Sequence, residues 1–226
     1  MLGVIVDVDD PALAEVSADP RLAVALLEVP LAGKKVEAVA GWFPRGLPVY
    51  LEPPRGDFKA VDRIAAFPGL GAKVRCGGVR PELFPSIEEL RDFIVTCVAA
   101  RVPFKATAGL HHAVRYTDQT TGFTHHGFLN LLLAVCAAVS GRTADMDDLL
   151  SSNDAEGLAA EARRIDPETA ALARTSLVAY GSCSISAPLD DLSALGLLPA
   201  LGLPSASDSF PPSDSFPPSD SWRTRA

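Results

Sequence analysis

The sequence predicts an α/β fold: a parallel (β/α) barrel-like domain, partial or truncated, followed by a disordered C-terminal tail. Three observations predict it. Short apolar and β-branched runs alternate with helical patterns, which implies parallel strands joined by right-handed crossovers. Several of those runs carry one polar and one apolar face at the two-residue period of a strand. The C-terminal end abandons both patterns for a Ser/Asp/Phe/Pro hexapeptide repeat.

Taken in order, strands are predicted at 2–6, 36–40, 48–52, 72–76, 103–107 and 177–182. A helix is predicted over 11–28, split by Asp19-Pro20 because proline cannot continue a helix interior. Residues 58–66 form the next helix. Ser86-Ile87-Glu88-Glu89 is a capping box that opens a helix to about Ala100. Gly127 to Ser140 is strongly apolar and helical, ended by Gly141. Asp154 to Arg164 follows, and Asp166-Pro167-Glu168 starts another helix with proline at its first position. The hexapeptide Ser207 to Pro212 recurs unchanged as Ser213 to Pro218 and begins again at Ser219. Such a segment buries too little surface to offset its ordering entropy. The expected organisation is one domain over 1–204 and a disordered tail over 205–226. Six strand-like runs are fewer than a closed barrel needs, and 41–47 is too short to hold a crossover helix between two parallel strands. The chain is therefore expected to lack one or two strand-helix units at its N-terminus and to present an open sheet edge that leaves it marginally stable or self-associating.

Composition narrows the function. The chain has 226 residues, 48% of them hydrophobic, and a formal net charge of −8. That supports a sizeable core and argues against a nucleic-acid partner, since no basic run appears. There is no basic n-region before an apolar stretch, and the longest apolar run, Phe128 to Val139, is too short to span a bilayer. A cytoplasmic protein with no membrane partner is expected. The four cysteines lack CxxC spacing, so neither a disulfide framework nor a zinc ribbon is indicated, and Cys97 and Cys136 read as buried thiols. Neither GxGxxG nor a Walker A pattern is present.

The two-residue period puts Tyr50 with Glu52, Lys73 with Arg75, Lys105 with Thr107, and Tyr180 with Ser182 on one face of their strands. Helices would cover the apolar face, so the polar face would line the interior near the strand C-termini, where barrels place active sites. Unpaired buried ions cost several kcal/mol. These groups must therefore be exposed, paired or catalytic, and a salt-bridge cluster around Glu52 is the structural alternative. Three cations against one carboxylate suggest a small anionic ligand. Gly77-Gly78 directly after Arg75 and Cys76 would let backbone N–H groups approach an anion, although Gly-Gly is more often only a turn. All four histidines fall in the loop after strand 103–107, as His111-His112 and His125-His126. Imidazole can be a base or a metal ligand, and this loop is long for an α/β connection. The histidines are expected at the pocket mouth, with at least one in reach of Lys105.

Four segments carry a resemblance: Gly71 to Gly78, Val102 to His112, His126 to Asn130 and Tyr180 to Ser184. Together they resemble an uncharacterised bacterial protein family without an assigned activity, barrel-like and α/β, over about residues 45–200. That resemblance implies a longer parent with further strand-helix units upstream. Asn130 and Ser182 lie inside these segments and join Arg75, Gly77, Gly78 and Thr107 as substrate-binding candidates. More loosely, Lys105-Ala106-Thr107-Ala108-Gly109 is similar to the Schiff-base strand end of class I aldolases of the deoxyribose-phosphate type. Lys73 to Arg80 resembles their second lysine and Gly-Gly-hydrophobic-Arg turn with one extra residue, and the two motifs stand here in reversed order.

The favoured expectation is an aldolase-like lyase or isomerase with no cofactor. Lys105 would form a Schiff base with a small anionic carbonyl compound, and nearby Lys73 and Arg75 would favour its free amine. Glu52, His111, His112 or His126 would move protons. Arg75, Gly77 and Gly78 would hold the anionic end. One alternative is a divalent metal held by His111 or His112 with His125 or His126, completed by Glu52 or Asp118. Another is a truncated barrel without catalysis.

Overall fold

A computed structural model describes residues 2–6, 23–41, 46–183 and 186–198. It is an α/β fold whose six-stranded parallel sheet curls into a half-barrel. The strands are β1 (Leu2–Ile5), β2 (Val24–Pro30), β3 (Val49–Glu52), β4 (Leu70–Arg75), β5 (Phe104–Thr107) and, after a long excursion, a strand at Leu177–Gly181. Two short strands, β6 (Tyr116–Thr117) and β7 (Thr124–His125), form an antiparallel hairpin inside the β5 loop, so the last sheet strand is β8. The sheet order is β1-β2-β3-β4-β5-β8, which follows the chain without reversal. Right-handed crossovers then put every connecting helix on the same face. That face is the outer one, and the bare face turns inward.

The helices are α1 (Val36–Ala40), α2 (Phe58–Ala65), α3 (Ile87–Ala99), α4 (Phe128–Val139), α5 (Met146–Ser151), α6 (Ala155–Arg164), α7 (Pro167–Ser176) and α8 (Ser186–Ala194). Ser86 and Glu89 form the capping box reciprocally, and Asp166 caps α7 through the backbone N–H groups of Glu168 and Thr169. Leu27, Val29, Leu51, Ala72, Phe104 and Ala106 project from the sheet into the helix layer and are almost fully buried there. No described helix is long and apolar enough to cross a membrane.

Two expected elements exchange roles. Residues 36–40 form helix α1, not a strand, because Val36 and Val39 are buried one turn apart while Glu37 and Ala38 face water. Residues 24–28, expected at the end of a helix, belong to β2. A short apolar run such as Val24–Pro30 has no period that separates a buried strand from a buried helix. With α1 as the crossover between β2 and β3, the shortness of 41–47 no longer implies a missing unit. Residues 11–22 of the expected helix and the repeat tail lie outside the described residues.

Glycine shapes the sheet at Gly71 on β4. A Cβ there would lie 2.6 Å from both the Tyr50 ring and the Pro103 carbonyl oxygen. Its absence lets Tyr50 of β3 fold across β4 and line the inner face.

Candidate functional site

The inner face carries a row of charge. Lys73 and Lys105 are register partners on β4 and β5, as are Arg75 and Thr107 one period further on. Partners in a parallel pair point the same way. All four therefore face inward, as their alternation with Ala72, Val74, Phe104 and Ala106 requires.

Glu28 of β2 completes the row, and it was not among the residues expected there. Its Oε1 lies 2.5 Å from Lys105 Nζ and its Oε2 lies 2.7 Å from Lys73 Nζ. Three strand spacings of about 4.8 Å would hold β2 and β5 some 14 Å apart in a flat sheet. The direct Glu28–Lys105 contact exists because the sheet curls. Lys73 Nζ also lies 2.9 Å from Glu52 Oε2, and Arg75 Nε lies 3.2 Å from Glu52 Oε1. The result is a ladder running Lys105, Glu28, Lys73, Glu52, Arg75. Lys105 additionally sits over the Tyr50 ring, 5.9 Å from its centroid. Burial is deep, with residue exposures of 2% for Lys73, 6% for Lys105 and 7% for Glu28.

Burial raises the Glu28 pKa, but hydrogen bonds from Lys105 and Lys73 and the charges behind them outweigh it and leave the pKa below the ordinary carboxylate value. Glu28 is thus an ionised carboxylate held between two lysines. The expected ratio of three cations to one carboxylate becomes three to two, and the cluster centres on Glu28 more than on Glu52. Two oxygens stay unserved: Glu52 Oε2, whose contact with Lys73 is an ion pair out of line for a hydrogen bond, and Thr107 Oγ1 are buried without a hydrogen-bond partner among the described residues. Both belong to the C-terminal ends of inner-face strands. A cleft of about 270 Å³ opens beside the ends of β3 and β4, lined by Glu52, Arg55, Lys73, Arg75 and Glu89 among others, and neither Lys105 nor Thr107 lines it.

The glycines after Arg75 serve packing. A Cβ on Gly77 would lie 2.7 Å from Gly109 Cα, and one on Gly78 would lie 2.3 Å from the Leu83 side chain. The loops leaving β4 and β5 therefore touch backbone to backbone at Gly77, while Gly78 makes room for Leu83 of its own loop, and both glycines are accounted for without an anion. Tyr180 faces outward, since it pairs with Ala106 and stacks on Phe128 of α4 with ring centroids 5.2 Å apart. Ser182 follows β8 directly.

The four histidines go to separate partners. His126 is buried, with Nε2 donating to the Pro85 carbonyl at 2.7 Å, and its pKa is pushed down to about 4 chiefly by burial. His125 Nδ1 lies 3.1 Å from the Gly109 carbonyl oxygen. His112 Nδ1 lies 3.0 Å from Asp191 of α8, and His111 Nε2 lies 3.1 Å from Cys183 Sγ. Lys105 instead meets Glu28 and Tyr50. Asn130 is fully buried and ties the loops together, accepting from Arg115 N and donating to the carbonyls of Leu149 and Ser152. Among the described residues, no three His, Cys, Asp or Glu side chains come together as a set that could hold a metal ion.

One signal could have found Glu28. It is a lone acid between apolar neighbours in Val24–Pro30, and an isolated charge in such a run must meet a counter-charge when the run is buried. No protein-family model matches this chain, and no curated protein matches it.

Proposed function

We propose that the protein is a lyase or isomerase acting on a small anionic carbonyl compound through a Schiff base on Lys105. The observation that carries this reading is the Lys105–Glu28–Lys73 bridge, two amines on one ionised carboxylate inside a parallel half-barrel. Lys105 is the better nucleophile of the two. Lys73 is held by both Glu28 and Glu52, whereas Lys105 shares a single carboxylate and has the more exposed side chain, 8% against 1%.

In this reading Glu28 accepts the proton that Lys105 Nζ releases. The free amine adds to the substrate carbonyl carbon, and loss of water leaves the imine. The imine draws electrons from the adjacent carbon, so a bond to hydrogen or carbon there breaks, and hydrolysis returns the amine. Arg75 and the unserved Thr107 hydroxyl are the groups available to the substrate's anionic end.

The test is hydride trapping. The protein is treated with borohydride and a panel of short aldehydes and 2-oxo acids, then weighed intact and peptide-mapped. The expected result is a hydride-dependent mass gain on Lys105 that K105M abolishes. No gain with any compound, or an undiminished gain in K105M, would remove the proposal. A purely structural ion network is the second reading, favoured because every member of the ladder meets an opposite charge. It fits the second of those outcomes and the first equally.

A further inference from the structure

We propose that Cys183 and His111 form a second reactive site, a thiol–imidazole pair at the C-terminal mouth of β5 and β8 that adds to the carbonyl carbon of a small aldehyde. The topology places the two residues together. Gly181 at the end of β8 pairs with Thr107 at the end of β5. Cys183 follows the first and His111 follows the second, so both leave the sheet on the same side. Their contact, Sγ to Nε2, is 3.1 Å. A nucleophile within hydrogen-bond reach of a base is the signature of an activated thiol.

The imidazole is held in place. Its ring centroid lies 5.6 Å from that of His125, which is itself fixed by the Gly109 carbonyl, by Tyr116 stacked at 4.9 Å and by the edge of Phe84 at 4.8 Å. Burial, with help from His125 and His112, keeps the His111 pKa below the ordinary histidine value against the opposing charge of Asp118. The neutral ring offers a lone pair to the thiol proton. Cys183 is exposed, while Cys76, Cys97 and Cys136 are buried, and burial pushes the thiol pKa of each of those three up. Cys183 is therefore the described thiol open to a solute.

The step balances without an oxidant. Cys183 Sγ bonds to the carbonyl carbon as the carbon–oxygen π pair moves onto oxygen. The thiol proton passes to His111 Nε2 and from there to that oxygen, giving a thiohemiacetal. Reversal releases the aldehyde. The site stands apart from the lysine reading, because its groups touch neither Lys105 nor Glu28.

Iodoacetamide reports on it. Sulfur displaces iodide, which leaves with the bonding pair, and His111 takes the thiol proton. The native protein should gain one carbamidomethyl group on Cys183, and C183S none. His111→Gln should slow the reaction at least about tenfold, since general-base assistance is worth that or more. His111→Gly should regain speed when imidazole is added, a rescue that a merely structural role would not allow. Glycolaldehyde should protect Cys183 saturably in wild type and in K105M alike, and more weakly in His111→Gln. An unchanged rate in His111→Gln without imidazole rescue in His111→Gly would reduce Cys183 to an ordinary surface thiol and overturn the proposal. Protection lost in K105M would move the aldehyde to the lysine site and overturn it too.

Discussion

At the scale of single residues, the ion ladder makes the sharpest claims. Glu28 serves two buried lysines at once, so Glu28→Gln leaves Lys105 without its carboxylate and Lys73 with Glu52 alone. Removing one partner of a buried pair typically costs about 3–5 kcal/mol. Urea titration should show that loss as a lower midpoint at unchanged slope. K105M should cost less, because Lys73 keeps Glu28 neutralised. Acid acts on two groups in sequence. His126 has a folded pKa of about 4 against 6.5, so the unfolded chain binds its proton first and stability falls as pH drops from 6.5 towards 4. That gap corresponds to roughly 3 kcal/mol. Glu28 also has a lowered folded pKa, so its contribution is whole above its ordinary 4.5 and is lost below that, as pH falls through the folded value. Replacing His126 with Gln, which can still donate to the Pro85 carbonyl but does not titrate, should flatten the upper part of the stability-against-pH curve. A curve identical to wild type between pH 6.5 and 4 would show that His126 is not the group responsible. The faces of Lys73, Arg75, Lys105 and Thr107 were legible in the sequence because a strand's two-residue period is strict. Glu28 was not, because a lone acid in an apolar run gives no period of its own.

At the scale of elements, local chemistry was the readable part. The α3 capping box needs only residues 86–89, and Ser86 Oγ accepts from Glu89 N at 3.1 Å while Glu89 accepts from Ser86 N at 2.7 Å. Ser86→Ala should cost about 1 kcal/mol, seen as a lower melting temperature. The hairpin β6–β7 and the six-residue helix α5 escaped notice because neither is long enough to repeat a pattern. The exchange of 24–28 and 36–40 has a different cause: β2 is a strand because its neighbours β1 and β3 demand one, and that demand is not local. The loop contact between Gly77 and Gly109 gives a further test. A Cβ at position 77 would strike backbone, which cannot swing aside as a side chain can. Gly77→Ala should destabilise by about 1–3 kcal/mol, and it should disturb Cys183 alkylation as well, since Gly109 anchors the His125 ring beside His111.

At the scale of the whole molecule, the sheet has two ends. Among the described residues, β1 pairs only with β2 and β8 only with β5. Around β8, Val178, Tyr180 and Leu172 are 40%, 43% and 47% exposed. An open strand beside exposed apolar side chains invites pairing with another chain, and we propose that two copies meet along β8. Sedimentation velocity over a range of concentrations should show a dimer that Val178→Lys weakens. A single monomeric species throughout would remove this idea. The half-barrel was legible as a class because strand and helix patterns alternate. Its partial closure was legible too, because six strand-like runs are too few to close a barrel, whereas the curl that brings Glu28 to Lys105 was not, since it depends on how all six strands twist together.

The strand order has one more consequence, for synthesis on the ribosome. Each of β2 to β5 docks beside the strand made just before it, so the sheet can grow at one edge as the chain emerges. N-terminal parts of a nascent chain fold first when their partners are already out. Glu28 waits inside that growing curl until Lys73 and then Lys105 arrive, and only β8 must wait for the whole 108–176 excursion to be translated. Birth order and spatial order coincide along this sheet, and among the described residues the first and last of its strands to be made are the two left at its edges.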